Sequence, residues 1–195
     1  EWHRFFGRRL SKVVIGIIGI GRIGQRVLEH LQGFGNPRIL VNDISIKDDI
    51  SDRFNVEWVS KEEIYKQSDI VSLHLPLTGK TKNMITKDQL LLMKSDAIII
   101  NTSRGGIINE NDLFEIMQSG HLSGAAIDVF DNEPYNGALN GVERCLLTAH
   151  MGSMSVDCRT QMEMEATEEA VRFLTGKILE GGVPDEEYEV QRKGL

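Results

Sequence analysis

A glycine-rich hexapeptide is the first segment of the chain whose residue types and spacing could do chemistry. It reads Gly19-Ile20-Gly21-Arg22-Ile23-Gly24 and follows directly on an apolar run that is typical of a β-strand. In a GxGxxG turn, Gly19 permits the tight turn, Gly21 leaves room for phosphate oxygens, and Gly24 lets the following helix pack closely against the strand. The pattern predicts that a pyrophosphate binds at the start of this helix, although a merely tight strand-to-helix turn can carry the same letters.

A carboxylate at a suitable distance strengthens this prediction. Asp43 ends the second apolar run, nineteen residues after Gly24, where dinucleotide-binding domains place the acid that binds the adenosine ribose hydroxyls. Its charge would repel a 2′-phosphate, and residues 44–47 contain no arginine that could hold one. NAD(H) is therefore favoured over NADP(H). The alternative is that Asp43 is only a turn residue after a strand.

Further polar residues stand where other predicted strands end. They are His74, residues 101–104, Asp128 and His150. Each alone could be a packing or capping residue, but parallel strands bring their carboxyl ends to one edge of a sheet, beside a bound dinucleotide. An arginine can hold a carboxylate with two hydrogen bonds, and a histidine can move a proton near neutral pH. Glu133, in the loop after the sixth predicted strand, is the candidate acid to orient that histidine.

The elements that would position these residues alternate between short apolar runs and helical patterns. The runs predict strands at Val13–Ile18, Arg38–Val41, Val56–Trp58, Ile70–Leu73, Ala97–Asn101, Gly124–Asp128 and Cys145–Thr148. Helices are predicted at Arg22–Phe34, Lys61–Gln67, Glu110–Ser119 and about Val156–Thr175, with N-caps at Ser60, Asn109 and Ser155. Most of these strands are almost wholly apolar, so they are expected to be buried on both faces. The predicted fold class is α/β, a doubly wound parallel sheet of the Rossmann type with about seven strands and helices on both faces.

Composition argues against several kinds of partner. The 195 residues contain 22 Lys and Arg against 29 Asp and Glu, a formal net charge of −7, so nucleic acid and anionic membrane surfaces are repelled on average. No apolar run approaches the roughly 20 residues of a membrane-spanning helix. The two cysteines, Cys145 and Cys158, have neither the number nor the spacing of a disulfide framework or a zinc site. We expect no nucleic-acid, membrane or metal partner, and a reducing, cytoplasmic location.

Five segments, taken together and in order, carry a family resemblance. They are Val14–Gly24 (VIGIIGIGRIG), Asp69–Thr78 (DIVSLHLPLT), Asn101–Gly106 (NTSRGG), Gly124–Pro134 (GAAIDVFDNEP) and Thr148–Ser153 (TAHMGS). This set resembles the NAD-binding domain of the D-isomer-specific 2-hydroxyacid dehydrogenases. The chain departs from the family at two positions: Ala149 stands where proline often precedes the catalytic histidine, and Met151 follows that histidine.

The resemblance implies a reaction and a role for three side chains. A hydride would pass between NAD(H) and a 2-oxo or 2-hydroxy acid. Arg104 would hold the carboxylate and carbonyl of the 2-oxo acid, His150 would be the acid/base, and Glu133 would pair with His150. The residues expected to bind the coenzyme are Gly19, Gly21, Arg22, Ile23, Gly24, Asp43, His74, Pro76, Thr102, Asp128 and Gly152.

The resemblance also bears on domains and on rival functions. It implies a linker helix over residues 1–12 that leads out of a substrate domain, a Rossmann domain over 13–176, a polar tail over 177–195, and a homodimer. The absence of an initiator methionine and of that substrate domain leads us to expect a cofactor domain that turns over poorly alone. One rival is an NAD(H)-sensing interaction module, because family relatives include a transcriptional co-repressor. Another is a formate-type dehydrogenase, in which glutamine typically occupies the position of Glu133.

Overall fold

Residues 7–181 are described by the structure, which is a computed structural model. They divide into two compact units. The first unit comprises residues 7–77 and 81–149, and the second comprises residues 78–80 and 150–181. Most of the predicted site residues belong to the first unit.

A parallel sheet of seven strands organises the first unit. The strands are β1 (Val14–Ile18), β2 (Arg38–Asn42), β3 (Val56–Trp58), β4 (Ile70–Leu73), β5 (Ile98–Asn101), β6 (Gly124–Ile127) and β7 (Cys145–Leu147). Their order is β3-β2-β1-β4-β5-β6-β7, and every neighbouring pair is parallel. All seven carboxyl ends therefore lie along one edge, with the reversal of strand order between β1 and β4. The predicted fold class is confirmed, and each predicted strand agrees with the observed bounds to within one residue at either end.

Helices connect these strands. Those in the described part of the chain are α1 (Arg22–Leu31), α2 (Asp48–Arg53), α3 (Lys61–Gln67), α4 (Lys87–Leu92), α5 (Glu110–Ser119) and α6 (Val156–Leu174). The first predicted helix is α-helical only as far as Leu31 and continues as a 3₁₀ turn over Gln32–Phe34, because Gly35 then turns into the left-handed region at φ +79°. The sequence did not predict α2 and α4, since six residues span less than two helical turns and give little periodicity.

Successive residues of the central strands point to opposite faces of the sheet and build two separate cores. On one face, Ile17 of β1 packs in a cluster with Leu28 of α1. On the other face, Ile18 packs in a cluster with Ile64 of α3. A side chain at Gly16 would overlap Ile64, so this glycine lets α3 lie close to β1. Helices on both faces hold the central strands, and these strands in turn fix the loops at the carboxyl edge.

The second unit consists chiefly of α6. The Ser155 hydroxyl accepts the Cys158 N–H at 3.4 Å, as predicted for its N-cap. None of the helices within residues 7–181 is long and apolar enough to cross a membrane. Of the predicted linker helix, residues 1–6 lie outside the described residues, and Leu10–Lys12 forms a 3₁₀ turn. Of the predicted tail, residues 182–195 also lie outside the described part of the chain.

Candidate functional site

The glycine-rich loop between β1 and α1 is closely packed at two of its three glycines. Gly19 has φ +98°, and a β-carbon there would overlap the backbone carbonyl of His74, so both the turn and the approach to the chain after β4 require glycine. A β-carbon at Gly24 would overlap the carbonyl oxygen of Gly19. The first turn of α1 therefore lies directly against the loop.

Gly21 differs from the other two glycines. It is the N-cap of α1, it is exposed, and nothing lies within 4 Å of the position that a β-carbon would occupy. As a glycine, this N-cap has no side chain with which to cap the first turn of α1. Arg22 and Ile23, which begin the helix, are exposed. Open space before the N-terminus of a helix suits a phosphate, so the residues present fit the pyrophosphate of a dinucleotide.

Asp43 is fixed against this loop from the end of β2. Its Oδ2 accepts the Ile20 N–H at 2.7 Å, and its Oδ1 accepts the Ile44 N–H at 2.6 Å. The Lys47 ammonium lies 3.7 Å from Oδ2 and donates a hydrogen bond of 2.7 Å to the Ile20 carbonyl. The acid predicted from its spacing thus lies next to the glycine-rich loop. The sequence indicates only that residues 44–47 contain no arginine, and it does not predict the contacts of Lys47 with Ile20 and Asp43.

Asn101, the last residue of β5, shapes the loop that carries Arg104. Its buried side chain donates to the Arg104 carbonyl at 2.9 Å and accepts from the Ser103 N–H at 3.1 Å and the Ser103 hydroxyl at 2.9 Å. The Arg104 guanidinium donates to the Ser103 carbonyl at 2.6 Å, and both Thr102 and Arg104 are exposed. One buried amide therefore holds the backbone that presents the arginine at the carboxyl edge.

Gly105 brings this loop against the segment that follows β6. A β-carbon at Gly105 would overlap the backbone of Phe130, so only glycine permits the approach. In that segment the Glu133 carboxylate accepts the Phe130 N–H at 3.0 Å, and Glu110 accepts the Asp131 N–H at 2.7 Å. The segments bearing Arg104 and Glu133 are therefore packed together through Gly105 and Phe130. Sequence reasoning gave Gly105 no role, although its place in a Gly-Gly pair is a signal for a close backbone approach.

Asp128 and His74 also lie at the carboxyl edge. Asp128 is buried, accepts the Thr148 hydroxyl at 2.5 Å, and donates its own N–H to the Asn101 carbonyl at 3.0 Å. His74 Nε2 lies 2.9 Å from the Ser72 hydroxyl. Burial lowers the pKa of His74, so its imidazole is neutral at pH 7. Pro76 is exposed just beyond it.

His150 and Gly152 belong to the second unit. His150 is exposed and has φ +52°, a left-handed conformation that is uncommon for any residue other than glycine. Gly152 is exposed, with nothing within 4 Å of a β-carbon built there. The structure thus places twelve of the fourteen predicted site residues at the carboxyl edge of the first unit, namely Gly19, Gly21, Arg22, Ile23, Gly24, Asp43, His74, Pro76, Thr102, Arg104, Asp128 and Glu133. The other two, His150 and Gly152, lie at the start of the longer segment of the second unit.

Known proteins provide an independent comparison. Residues 1–152 match the family profile described as the NAD binding domain of D-isomer specific 2-hydroxyacid dehydrogenases. A glyoxylate reductase from Aeropyrum pernix is 37% identical, in an alignment that covers 100% of this chain and 59% of that protein. The chain therefore spans less than two thirds of the length of this relative.

Two solved structures extend the comparison. A glyoxylate reductase from Paecilomyes thermophila superposes with a TM-score of 0.84 at 29% identity, covering 93% of this chain and 55% of the other. A D-lactate dehydrogenase from Aquifex aeolicus, complexed with NAD and lactic acid, superposes with a TM-score of 0.80 at 28% identity, covering 88% of this chain and 56% of the other. The predicted resemblance is confirmed: the chain belongs to the D-isomer-specific 2-hydroxyacid dehydrogenases, through the NAD-binding domain of that family.

Proposed function

We propose that the protein is an oxidoreductase that transfers a hydride between NAD(H) and a small 2-oxo or 2-hydroxy acid of the D series. The observation that carries the proposal is the bonding of Asp43 to the glycine-rich loop, at the same sheet edge where Asn101 presents Arg104. The exposed guanidinium is suited to hold the carboxylate of an acid substrate. The family and its relatives, which include glyoxylate reductases, support the same reaction class.

The first unit supplies the groups that would hold the coenzyme. The open space at Gly21 and the N–H groups that begin α1 would receive the pyrophosphate, and Asp43 would accept hydrogen bonds from the adenosine ribose. Beyond Asp43, Ile44 and Ile46 are exposed and offer an apolar surface to the adenine. Arg22, Ile23, His74, Pro76, Thr102, Asp128 and Gly152 complete the proposed set of coenzyme contacts. When bound, the coenzyme supplies or accepts the hydride.

Three side chains would act on the acid substrate. The planar guanidinium of Arg104 would hold the substrate carboxylate with two hydrogen bonds and stabilise negative charge that develops on the carbonyl oxygen. His150 would give a proton to that oxygen in reduction and take it back in oxidation. Glu133 would orient this histidine and favour its protonated form.

Two further features complete the proposal. We propose a homodimer, which is the assembly that the resemblance implies. We also propose a cytoplasmic setting, in keeping with Cys145 and Cys158, which are both free thiols. The named relatives, which are glyoxylate reductases and a D-lactate dehydrogenase, do not favour the rival function, an NAD(H)-sensing module of the co-repressor type.

The proposal is tested by NADH binding and by NADH oxidation with a panel of 2-oxo acids that begins with glyoxylate and pyruvate. We expect binding by the folded chain and, because a cofactor domain alone is expected to turn over poorly, only slow oxidation that depends on the 2-oxo acid. Arg104→Lys keeps the charge but loses the planar fork, so we expect the rate to fall by at least about tenfold with an unchanged Kd for NADH.

The matched control is Arg159→Lys, on an exposed part of α6, which should change neither quantity. A folded chain that does not bind NADH contradicts the proposal. In a protein that also carries the substrate domain, binding without any oxidation that depends on a 2-oxo acid supports the sensing module instead. A full rate in Arg104→Lys overturns the role given to Arg104.

A further inference from the structure

Lys47 makes contacts that its place in the chain does not explain. Its ammonium donates to the Ile20 carbonyl, 27 positions earlier, at 2.7 Å and lies 3.7 Å from Asp43 Oδ2. The side chain remains 32% exposed, so part of it is still in contact with solvent. A cation therefore lies between the glycine-rich loop and the acid at the end of β2.

Helix formation does not account for this lysine. Lys47 is the N-cap of α2, but its side chain makes no capping hydrogen bond. A cation at the N-terminal end of a helix is unfavourable, because the helix dipole is positive there and prefers an acid. Asp48 and Asp49 already supply negative charge to the first turn. The lysine side chain instead turns back to the glycine-rich loop.

The charges at this position bear on the choice of coenzyme. Asp43 alone would repel a phosphate on the adenosine 2′ position, and Ile44, Ser45 and Ile46 carry no charge to offset that repulsion. The Lys47 ammonium, 3.7 Å from Asp43 Oδ2, does offset it. An ammonium has three N–H donors, and Ile20 engages one of them. A donor and a compensating charge are thus available to a 2′-phosphate.

We propose that Lys47 is a specificity-determining residue that lets the site accept NADP(H) as a second coenzyme, more weakly than NAD(H). This inference rests on the proposed function, since it concerns the adenosine end of the same site. The prediction from the sequence favours NAD(H), because Asp43 repels a 2′-phosphate and residues 44–47 contain no arginine. The contacts of Lys47 modify that prediction. NAD(H) remains the preferred coenzyme, and Lys47 reduces the difference in affinity between NAD(H) and NADP(H).

The test is the ratio of the dissociation constants for NADPH and NADH, each measured by fluorescence titration of the chain. We expect a wild-type ratio of about 10, because the ammonium offsets most of the repulsion from Asp43. Lys47→Gln keeps an N–H donor but removes the charge, and should raise the ratio by about fivefold or more. Lys47→Met should do the same, and Lys47→Arg should keep the wild-type ratio.

Lys12→Gln is the matched control, since it makes the same change of charge at an exposed position before β1, at the opposite edge of the sheet from Asp43. It should leave the ratio unchanged. A ratio that shifts by less than about twofold in both Lys47→Gln and Lys47→Met overturns the inference, because Lys47 then only stabilises the glycine-rich loop. A wild-type ratio above about 1000 overturns it without any variant. If the folded chain binds neither coenzyme, the proposed function fails as well, whereas normal NADH binding with an unchanged ratio overturns only the role of Lys47.

Discussion

Asp69 and Asp43 are two mostly buried carboxylates at the opposite ends of β1, and they are bonded in different ways. Asp69, at the amino edge, accepts the Val14 N–H at 2.6 Å, the Lys94 ammonium at 3.0 Å and the Arg8 guanidinium at 3.1 Å. Asp43, at the carboxyl edge, accepts two backbone N–H groups, and its nearest cation is 3.7 Å away.

This difference gives the two acids different roles. Asp69 joins segments of the chain, whereas Asp43 can still accept hydrogen bonds from a ligand. A carboxylate can accept about four hydrogen bonds. Asp69 uses its capacity on partners 55, 25 and 61 positions distant, so it ties three segments of the chain together. The two hydrogen bonds that Asp43 accepts leave acceptor capacity for a ligand. Variants of the two acids should therefore change different measured quantities.

The largest effect is expected on stability from Asp69→Asn. The amide cannot match the charge of Lys94 and Arg8, so the free energy of unfolding should fall by about 2 kcal/mol, as measured by urea denaturation. The Kd for NADH should stay within about twofold of wild type, because Asp69 lies at the other edge of the sheet.

Asp43→Asn is the matched counterpart of that variant and should show the reverse pattern. We expect a stability loss below about 1 kcal/mol and a Kd for NADH about tenfold higher, since the ribose loses a charged acceptor. If Asp43→Asn destabilises the chain as much as Asp69→Asn does, the contrast between the two acids is wrong.

Gly21→Ala tests the carboxyl edge without changing a charge. Its β-carbon meets open space in the chain itself, and φ is −78°, so stability should change by less than about 1 kcal/mol. The methyl group would occupy the space proposed for phosphate oxygens, so the Kd for NADH should rise by about tenfold. Calorimetric titration measures the Kd, and unchanged binding would show that no ligand approaches Gly21.

The smallest effect is expected from mild acidification. Burial by itself would raise the pKa of Asp69, but the Val14 N–H, Lys94 and the charge of Arg8 together hold that pKa below its ordinary value. A carboxylate whose pKa is lowered by folding contributes stability above its unfolded pKa, and this contribution is lost as the pH falls through the folded pKa. Urea midpoints measured from pH 6 down to about pH 3 should therefore fall more steeply in wild type than in Asp69→Asn. Parallel curves would show that this acid contributes nothing to the acid sensitivity.

Much of the fold was predictable because its signals are local. Continuous apolar runs such as Ile70–Leu73 predict buried parallel strands, and the spacing from Gly24 predicts Asp43. The helix α4 was missed even though Thr86 and Gln89 form a capping box, because the apolar pattern is too short to draw attention to it.

The contacts that complete the candidate site could not be predicted in this way. The hydrogen bond from Lys47 to Ile20 and the approach of Gly105 to Phe130 join segments that are distant in sequence. Such contacts depend on the relative placement of whole elements and leave no periodic signal. The three hydrogen bonds of Asn101 are local, but a buried amide at a strand end has several possible partners, and the sequence does not select among them.

The separation of the core into two clusters, one on each face of the sheet, has a consequence for how the domain tolerates change. Side chains on opposite faces, such as Leu28 and Leu113, do not contact each other, and they are linked only through the backbone of the strands between them. Truncations at such a pair should therefore have nearly additive energies, with a coupling below about 0.5 kcal/mol. Each face can then accumulate substitutions independently of the other, while the strand backbone keeps the carboxyl edge in place.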